Sequence, residues 1–133
     1  MIYLLDTNIC IYIMRQKPRQ VLERFRDLEP SDVGISSIAV AELEYGAYKS
    51  QQPERNRSAL KQFLIPLEIV SFDGQATQVY GKLRSQLEQQ GQVIGSLDML
   101  IAAQALSLEL TLVTNNTREF SRIAGLALEN WAD

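Results

Sequence analysis

Three carboxylates in this chain stand in unusual company. Asp6 follows the apolar run Ile2–Leu5 and precedes Thr7, Asn8 and a second run, Ile9-Cys10-Ile11. Glu42 sits in IAVAELEYGA, one position past Ala41, among small or apolar neighbours. Asp98 falls just after Gly95-Ser96, where the apolar stretch LDMLIAAQAL begins. Burying a polar group without a partner costs on the order of several kcal/mol, and an unpaired charge costs more. Each acid also has an ordinary reading. Asp6 or Asn8 caps a helix, which stabilises by about 0.5–2 kcal/mol. Asp98 complements the positive end of a helix dipole, and Glu42 faces solvent. Glu44 faces elsewhere, because residues two apart do not share a helix face. Taken jointly, the acids point to different chemistry. Carboxylates clustered in a cleft repel and raise each other's pKa, and a divalent cation relieves that repulsion. Mg²⁺ and Mn²⁺ take carboxylates, waters and substrate phosphates as ligands. Held in that way, such an ion neutralises phosphate charge and activates water, which is phosphodiester chemistry.

Missing residue types narrow the choice. The 133-residue chain contains no histidine, so imidazole bases, Ser-His-Asp and Cys-His nucleophiles, and His-ligated zinc or iron are excluded. A single cysteine, Cys10, rules out a disulfide framework or a thiolate metal site within one chain. Metal chemistry, if present, runs on hard oxygen ligands.

The elements that must position these acids alternate in type. Residues 1–5 read as a buried strand, followed by a short helix that stops near Pro18. RQVLERFRDL reads as a second helix, with Val21, Leu22, Phe25 and Leu28 on one face. After the EPSD turn, VGIS (33–36) is a strand. Next, Ser36-Ser37 opens a helix whose apolar positions Ile38, Ala41, Tyr45 and Tyr48 recur near helical spacing. A helix from Pro53, a strand within 67–73, and an amphipathic helix carrying Val79, Leu83 and Leu87 follow. The stretch from Ser96 reads as an apolar helix. A strand at 110–114, a polar loop with a short helix and an edge strand in LALENW complete the chain. Strands alternating with helices predict an α/β fold with a mainly parallel sheet. Ligands of such sheets bind outside the carboxyl ends of the strands. Asp6 follows the first strand, Thr114-Asn115-Asn116 follow the fourth, and Asp98 opens a helix packed on the sheet.

Composition is that of an ordinary soluble globular domain, 46% hydrophobic and 22% charged, and the length predicts one domain over residues 1–133. The formal charge of −3 argues mildly against a nucleic-acid binder. Against that stand the basic clusters Arg15, Lys17, Arg19, Arg24, Arg26 and Arg55, Arg57, Lys61, which are either solvated surface or phosphate-facing patches. MIYLLD lacks a basic leader, and no run approaches the roughly 18 apolar residues of a membrane span, so a cytoplasmic protein is expected.

Four blocks, MIYLLDTNICIYIMRQKP, ISSIAVAELEYGA, GSLDMLIAAQAL and LVTNNTREFSRI, resemble in order and spacing the motif blocks of PIN-domain ribonucleases, and within them the VapC toxins of type II toxin–antitoxin pairs. The resemblance covers nearly the whole chain, including the final LENW. It implies a three-layer α/β/α fold around a mainly parallel, twisted sheet of four to five strands, and a Mg²⁺- or Mn²⁺-dependent endoribonuclease. Asp6, Glu42 and Asp98 match the first three acidic positions and would be metal ligands. Asn116 stands at the fourth, where the wider family has an acid. It carries no charge, which puts a second metal in doubt, and Glu119 replaces it only if the loop turns inward. Thr7 and Asn8 match polar positions supporting the first aspartate, and Ser37 and Thr114 are supporting hydroxyls. The family further implies a VapB-type antitoxin, homodimers within the toxin–antitoxin complex, and RNA as substrate; the enteric-type members cut initiator tRNA in the anticodon region.

Two other classes compete. A PIN-like module that has lost activity and acts through its partner draws support from Asn116 alone. A flavodoxin-like phosphotransfer or nucleotide-binding domain would need a glycine-rich loop after the first strand, and DTNIC has no glycine.

Overall fold

The computed structural model describes residues 1–133, and it is α/β as the strand–helix alternation requires. The strands are β1 (Tyr3–Leu5), β2 (Val33–Ser36), β3 (Glu68–Val70), β4 (Thr111–Val113) and β5 (Leu128–Glu129). The helices are α1 (Thr7–Arg15), α2 (Arg19–Arg26), α3 (Ser37–Lys49), α4 (Pro53–Leu64), α5 (Gly74–Gln89), α6 (Ser96–Ser107) and the single turn α7 (Thr117–Phe120). One 3₁₀ turn, Pro30–Asp32, leads into β2.

All five strands pair in parallel, in the order β3-β2-β1-β4-β5. β1 lies at the centre, with Tyr3, Leu4 and Leu5 in register with Val33, Gly34 and Ile35 on one side and with Thr111, Leu112 and Val113 on the other. A strand flanked on both edges and covered on both faces has no solvent side, so its residues are apolar without alternation. Leu4, Leu5, Ile35, Leu112 and Val113 are all completely buried. The chain builds outward from β1 through β2 to β3, then returns to the opposite side of β1 for β4 and β5. With right-handed crossovers, that reversal sends α1–α4 to one face of the sheet and α5 and α6 to the other. It also opens a crevice at the carboxyl ends of β1 and β4, the switch point where such sheets bind ligands.

The expected helix faces hold for α5, where Leu83 and Leu87 are buried and Val79 is half-buried. They fail for α3. Its buried stripe is Ala39, Leu43 and Ala47, while Ala41, Tyr45 and Tyr48 are exposed. Small residues let α3 lie close to its neighbours, and a tyrosine at Ala39 or Ala47 would hold it off. Of the expected face only Ile38 packs against the core. The strand within 67–73 is shorter than expected, only Glu68–Val70. No helix is long and apolar enough to cross a membrane.

Candidate active site

β1 delivers Asp6 to the carboxyl edge of the sheet, where the backbone turns directly into α1. Asp6 is only 3% exposed, yet its carboxylate is well served. Oδ1 accepts from the Thr7 backbone N–H at 2.8 Å, so Asp6 does cap α1, and Oδ2 accepts from the Thr114 hydroxyl at 2.8 Å. Burial pushes the Asp6 pKa up, and those two hydrogen bonds pull the other way. Thr114, wholly buried at the end of β4, thereby ties the two strands that border the crevice. Cap and site are therefore one residue.

The remaining residues converge through named contacts. Thr7 donates its hydroxyl to Glu42 Oε1 at 3.0 Å, joining the start of α1 to the middle of α3. Thr114 Oγ1 also accepts from the Asn116 backbone N–H at 3.0 Å, which turns the chain after β4 inward. The Asn116 side chain then donates Nδ2 to Glu119 Oε2 at 3.0 Å. Glu119 in turn lies beside the carboxyl of Asp98, in the first turn of α6. The pKa of Asp98 is pushed up to about 7, by burial first, then by its Glu119 neighbour and the charges of Asp6 and Glu42. The four acids thus share one electrostatic neighbourhood. None of them forms an ion pair with a lysine or arginine, since the pairs present involve other residues.

Three carboxylates do not, however, close on a single point at the spacing of one ion's ligand shell. The donor set still suits a hard divalent ion: carboxylate oxygens, an amide and hydroxyls, with no nitrogen or sulfur ligand and uncompensated negative charge. Cys10 is fully buried, and burial together with the Asp6 charge pushes its thiol up, so it stays a neutral part of the core.

Of the supporting residues expected from sequence, Thr7, Thr114 and Glu119 touch the acids. Asn8 does so only indirectly, because its Nδ2 donates to Asn115 Oδ1 at 3.3 Å. Ser37 is not brought to the acids. Its hydroxyl accepts from the Phe72 backbone N–H at 3.3 Å, fixing the end of β3 instead, because the first residue of α3 points along the sheet edge toward its neighbour strand. Sequence reasoning missed Tyr12 and did not assign Asn115. Asn115 Nδ2 donates to the Tyr12 hydroxyl at 2.6 Å, so α1 grips the loop that carries Asn116. The signal was available in Asn8 and Tyr12, one helical turn apart on α1.

The PIN domain family model matches residues 3–126. The chain belongs to the PIN-domain family. Its relatives include ribonuclease VapC2 of Rickettsia felis, 48% identical over 98% of both chains, and the tRNA(fMet)-specific endonuclease VapC of Shigella flexneri, 44% identical over 98% of both. In three dimensions this PIN domain is similar to a chain in the crystal structure of VapBC2 from Rickettsia felis bound to a DNA fragment from their promoter, with a TM-score of 0.92, covering 98% of this chain and 99% of that one. It is equally similar to a chain in the DNA-bound VapBC of Salmonella typhimurium, with a TM-score of 0.93, 44% identity and 98% coverage of each. Both the five-stranded parallel sheet and the motif blocks agree with membership of the VapC group.

Proposed function

We propose that this PIN domain, a single unit over residues 1–133, is a divalent-metal-dependent endoribonuclease and the toxin of a VapBC-type pair. Asp6, Glu42 and Asp98 would hold Mg²⁺ or Mn²⁺, and Glu119, presented by Asn116, would complete the acid set. The observation that carries this reading is a carboxylate, Asp98, raised to a pKa of about 7 in the neighbourhood of Asp6, Glu42 and Glu119 at the sheet's switch point, with no cationic partner for any of the four.

A bound divalent ion supplies Lewis acidity, neutralising phosphate charge and making water a better nucleophile. The chain's own residues supply rigidity. Thr114 and the Thr7 amide lock both oxygens of Asp6, and Thr7 sets the distance between Asp6 and Glu42. Burial and the surrounding acids hold the Asp98 carboxyl at about 7, well above its usual range, so that it keeps its proton more readily than an ordinary aspartate.

Relatives named as tRNA(fMet)-specific endonucleases support initiator tRNA as the substrate, with the anticodon region as the proposed place of the cut. Solved VapBC complexes support a VapB-type antitoxin, and a toxin homodimer within that complex belongs to the same proposal. The cytoplasm, where tRNA resides, is the matching location. Incubating purified protein with initiator tRNA and Mg²⁺, then mapping the RNA ends, tests the reading. Defined ends are expected, EDTA should abolish them, and Mn²⁺ or Mg²⁺ should restore them. Asp6→Asn should lower cleavage at least ~100-fold. Cleavage undiminished by EDTA overturns the metal dependence.

The reading of an inactive module acting through its partner is favoured by Asn116 and by the failure of three acids to meet at one point. Expression without an antitoxin separates the two. Growth arrest that disappears in Asp6→Asn requires activity.

A further inference from the structure

The outward turn of the α3 tyrosines places two aromatic rings in solvent beside positive charge. Tyr45 is 65% exposed and Tyr48 59%. Each ring carries a cation on one face: Lys49 Nζ lies 4.9 Å from the Tyr45 centroid, and Arg57 Cζ lies 4.4 Å from that of Tyr48. Arg57 reaches across from α4 and meets Glu44 only loosely, at 3.9 Å, with both side chains nearly half exposed. Such a pair contributes little and competes weakly for the guanidinium. Over this stretch Lys49, Arg55, Arg57 and Lys61 outnumber Glu44 and Glu54, although the chain as a whole is acidic. The strip is continuous with the acid site. Glu42, Tyr45 and Lys49 follow at i, i+3 and i+7, so they share a side of α3. Tyr45 lies about 5 Å and Lys49 about 10 Å along the helix axis from Glu42.

We infer that this strip of α3 and α4 is a stacking platform for the single-stranded RNA segment that enters the acid site, with bases on the rings of Tyr45 and Tyr48 and phosphates on Lys49 and Arg57. The inference rests on the ribonuclease reading. Alternating π-faces and cations match a strand in which every nucleotide offers one base face and one negative charge. Continuity with Glu42 gives such a strand a path to the carboxylates, which on their own repel phosphate. A partner protein helix would instead ask for a contiguous apolar stripe, and the apolar stripe of α3 is already buried inside.

The test compares two single-stranded oligoribonucleotides containing the mapped cut site, one of about 12 nucleotides, within the span of such platforms, and one of about three. Removing two stacking rings, Tyr45→Ala with Tyr48→Ala, should raise KM for the longer RNA at least ~tenfold, given the loss of about 1–3 kcal/mol per stacked base. kcat should stay within about twofold, and KM for the short RNA should rise less, because a strand of about three nucleotides at the cut site reaches only the nearer ring. Tyr45→Phe with Tyr48→Phe keeps the π-faces and should restore the wild-type KM. Asp6→Asn in parallel abolishes turnover if the acid site is catalytic, so failure of that reading is seen separately. An unchanged KM in the double alanine variant overturns the platform, as does a phenylalanine variant no better than alanine. If the alanine variant leaves KM alone but shifts the oligomeric state or weakens inhibition by the antitoxin, the face is a protein interface and the inference is wrong.

Discussion

At the scale of single residues the decisive position is the fourth corner of the acid set. An amide in place of an acid looked like a loss of charge, but its Nδ2 donates to Glu119 and so draws in an acid three residues later. We expect Glu119→Gln to weaken divalent-metal affinity and cleavage by at least ~tenfold, approaching the loss from Asp98→Asn, because a ligand charge disappears in both. Metal titration by calorimetry beside cleavage rates checks this, and a Glu119→Gln protein with normal metal affinity removes Glu119 from the site. Asp98 provides a second prediction with a defined sign. Its folded pKa is about 7 against an ordinary 3.8, so from about pH 4 to 7 the folded state binds the extra proton. Without metal, this group makes stability fall as pH rises through that window, and the full penalty is present above pH 7. Relative to wild type, Asp98→Asn should therefore gain in melting temperature between pH 5 and pH 8 in EDTA. Mg²⁺ should stabilise wild type more at pH 8 than at pH 5, since protons and the cation compete for the same carboxyls. A wild-type-minus-variant difference that is flat with pH contradicts the shared neighbourhood of the four acids.

Elements were more legible than contacts. Short apolar strands, Pro53 opening a helix, and Ser36 capping α3 through the Ile38 amide are local events, and local sequence reports them. Asp6, Glu42 and Asp98 were legible because charge in apolar company is rare. The partner choices were not, because they depend on how elements far apart in sequence meet. Ser37 turned to Phe72, the α3 tyrosines turned outward, and Asn115 found Tyr12 across 103 residues. That last contact makes α1 and the β4–α7 loop one mechanical unit, with Asn8 as a second, longer hold. Tyr12→Phe deletes the hydroxyl while keeping the packing of a half-buried ring. It should cost about 0.5–1.5 kcal/mol of stability. Metal affinity should fall more than that loss of stability alone produces, because the loop positioning Asn116 and Glu119 loses its anchor. Metal binding measured well below the melting temperature separates the two effects, and unchanged affinity leaves the contact purely structural.

For the whole molecule, the acid site depends on the last residues of the chain as well as the first. β5 is a two-residue edge strand and could not persist on its ladder alone. It is held by Trp131, which is 5% exposed, packs edge-on against Tyr3 at 5.5 Å, lies under the Arg24 guanidinium at 5.6 Å, and donates its indole N–H to Glu129 Oε1 at 3.0 Å. Arg24 completes the clasp with a 3.1 Å contact to the same Glu129 oxygen, so α2, β1 and the terminus meet at one indole. The backbone carbonyl of Glu129 in turn accepts from the N–H of Thr114, the residue whose hydroxyl holds Asp6. Trp131→Ala should therefore act at both ends of that chain of contacts. Loss of a buried indole predicts about 3–5 kcal/mol of destabilisation. Release of β5 predicts a looser Thr114, weaker metal binding, and cleavage recovered by excess Mg²⁺ at temperatures where the variant is folded. Trp131→Phe keeps a ring against Tyr3 and Arg24 but loses the N–H to Glu129, so it should retain most of the stability and still show part of the metal defect. Denaturant unfolding with parallel Mg²⁺ titrations distinguishes these outcomes. A Trp131→Ala protein with full metal affinity would show that the terminus stabilises the sheet without reaching the site.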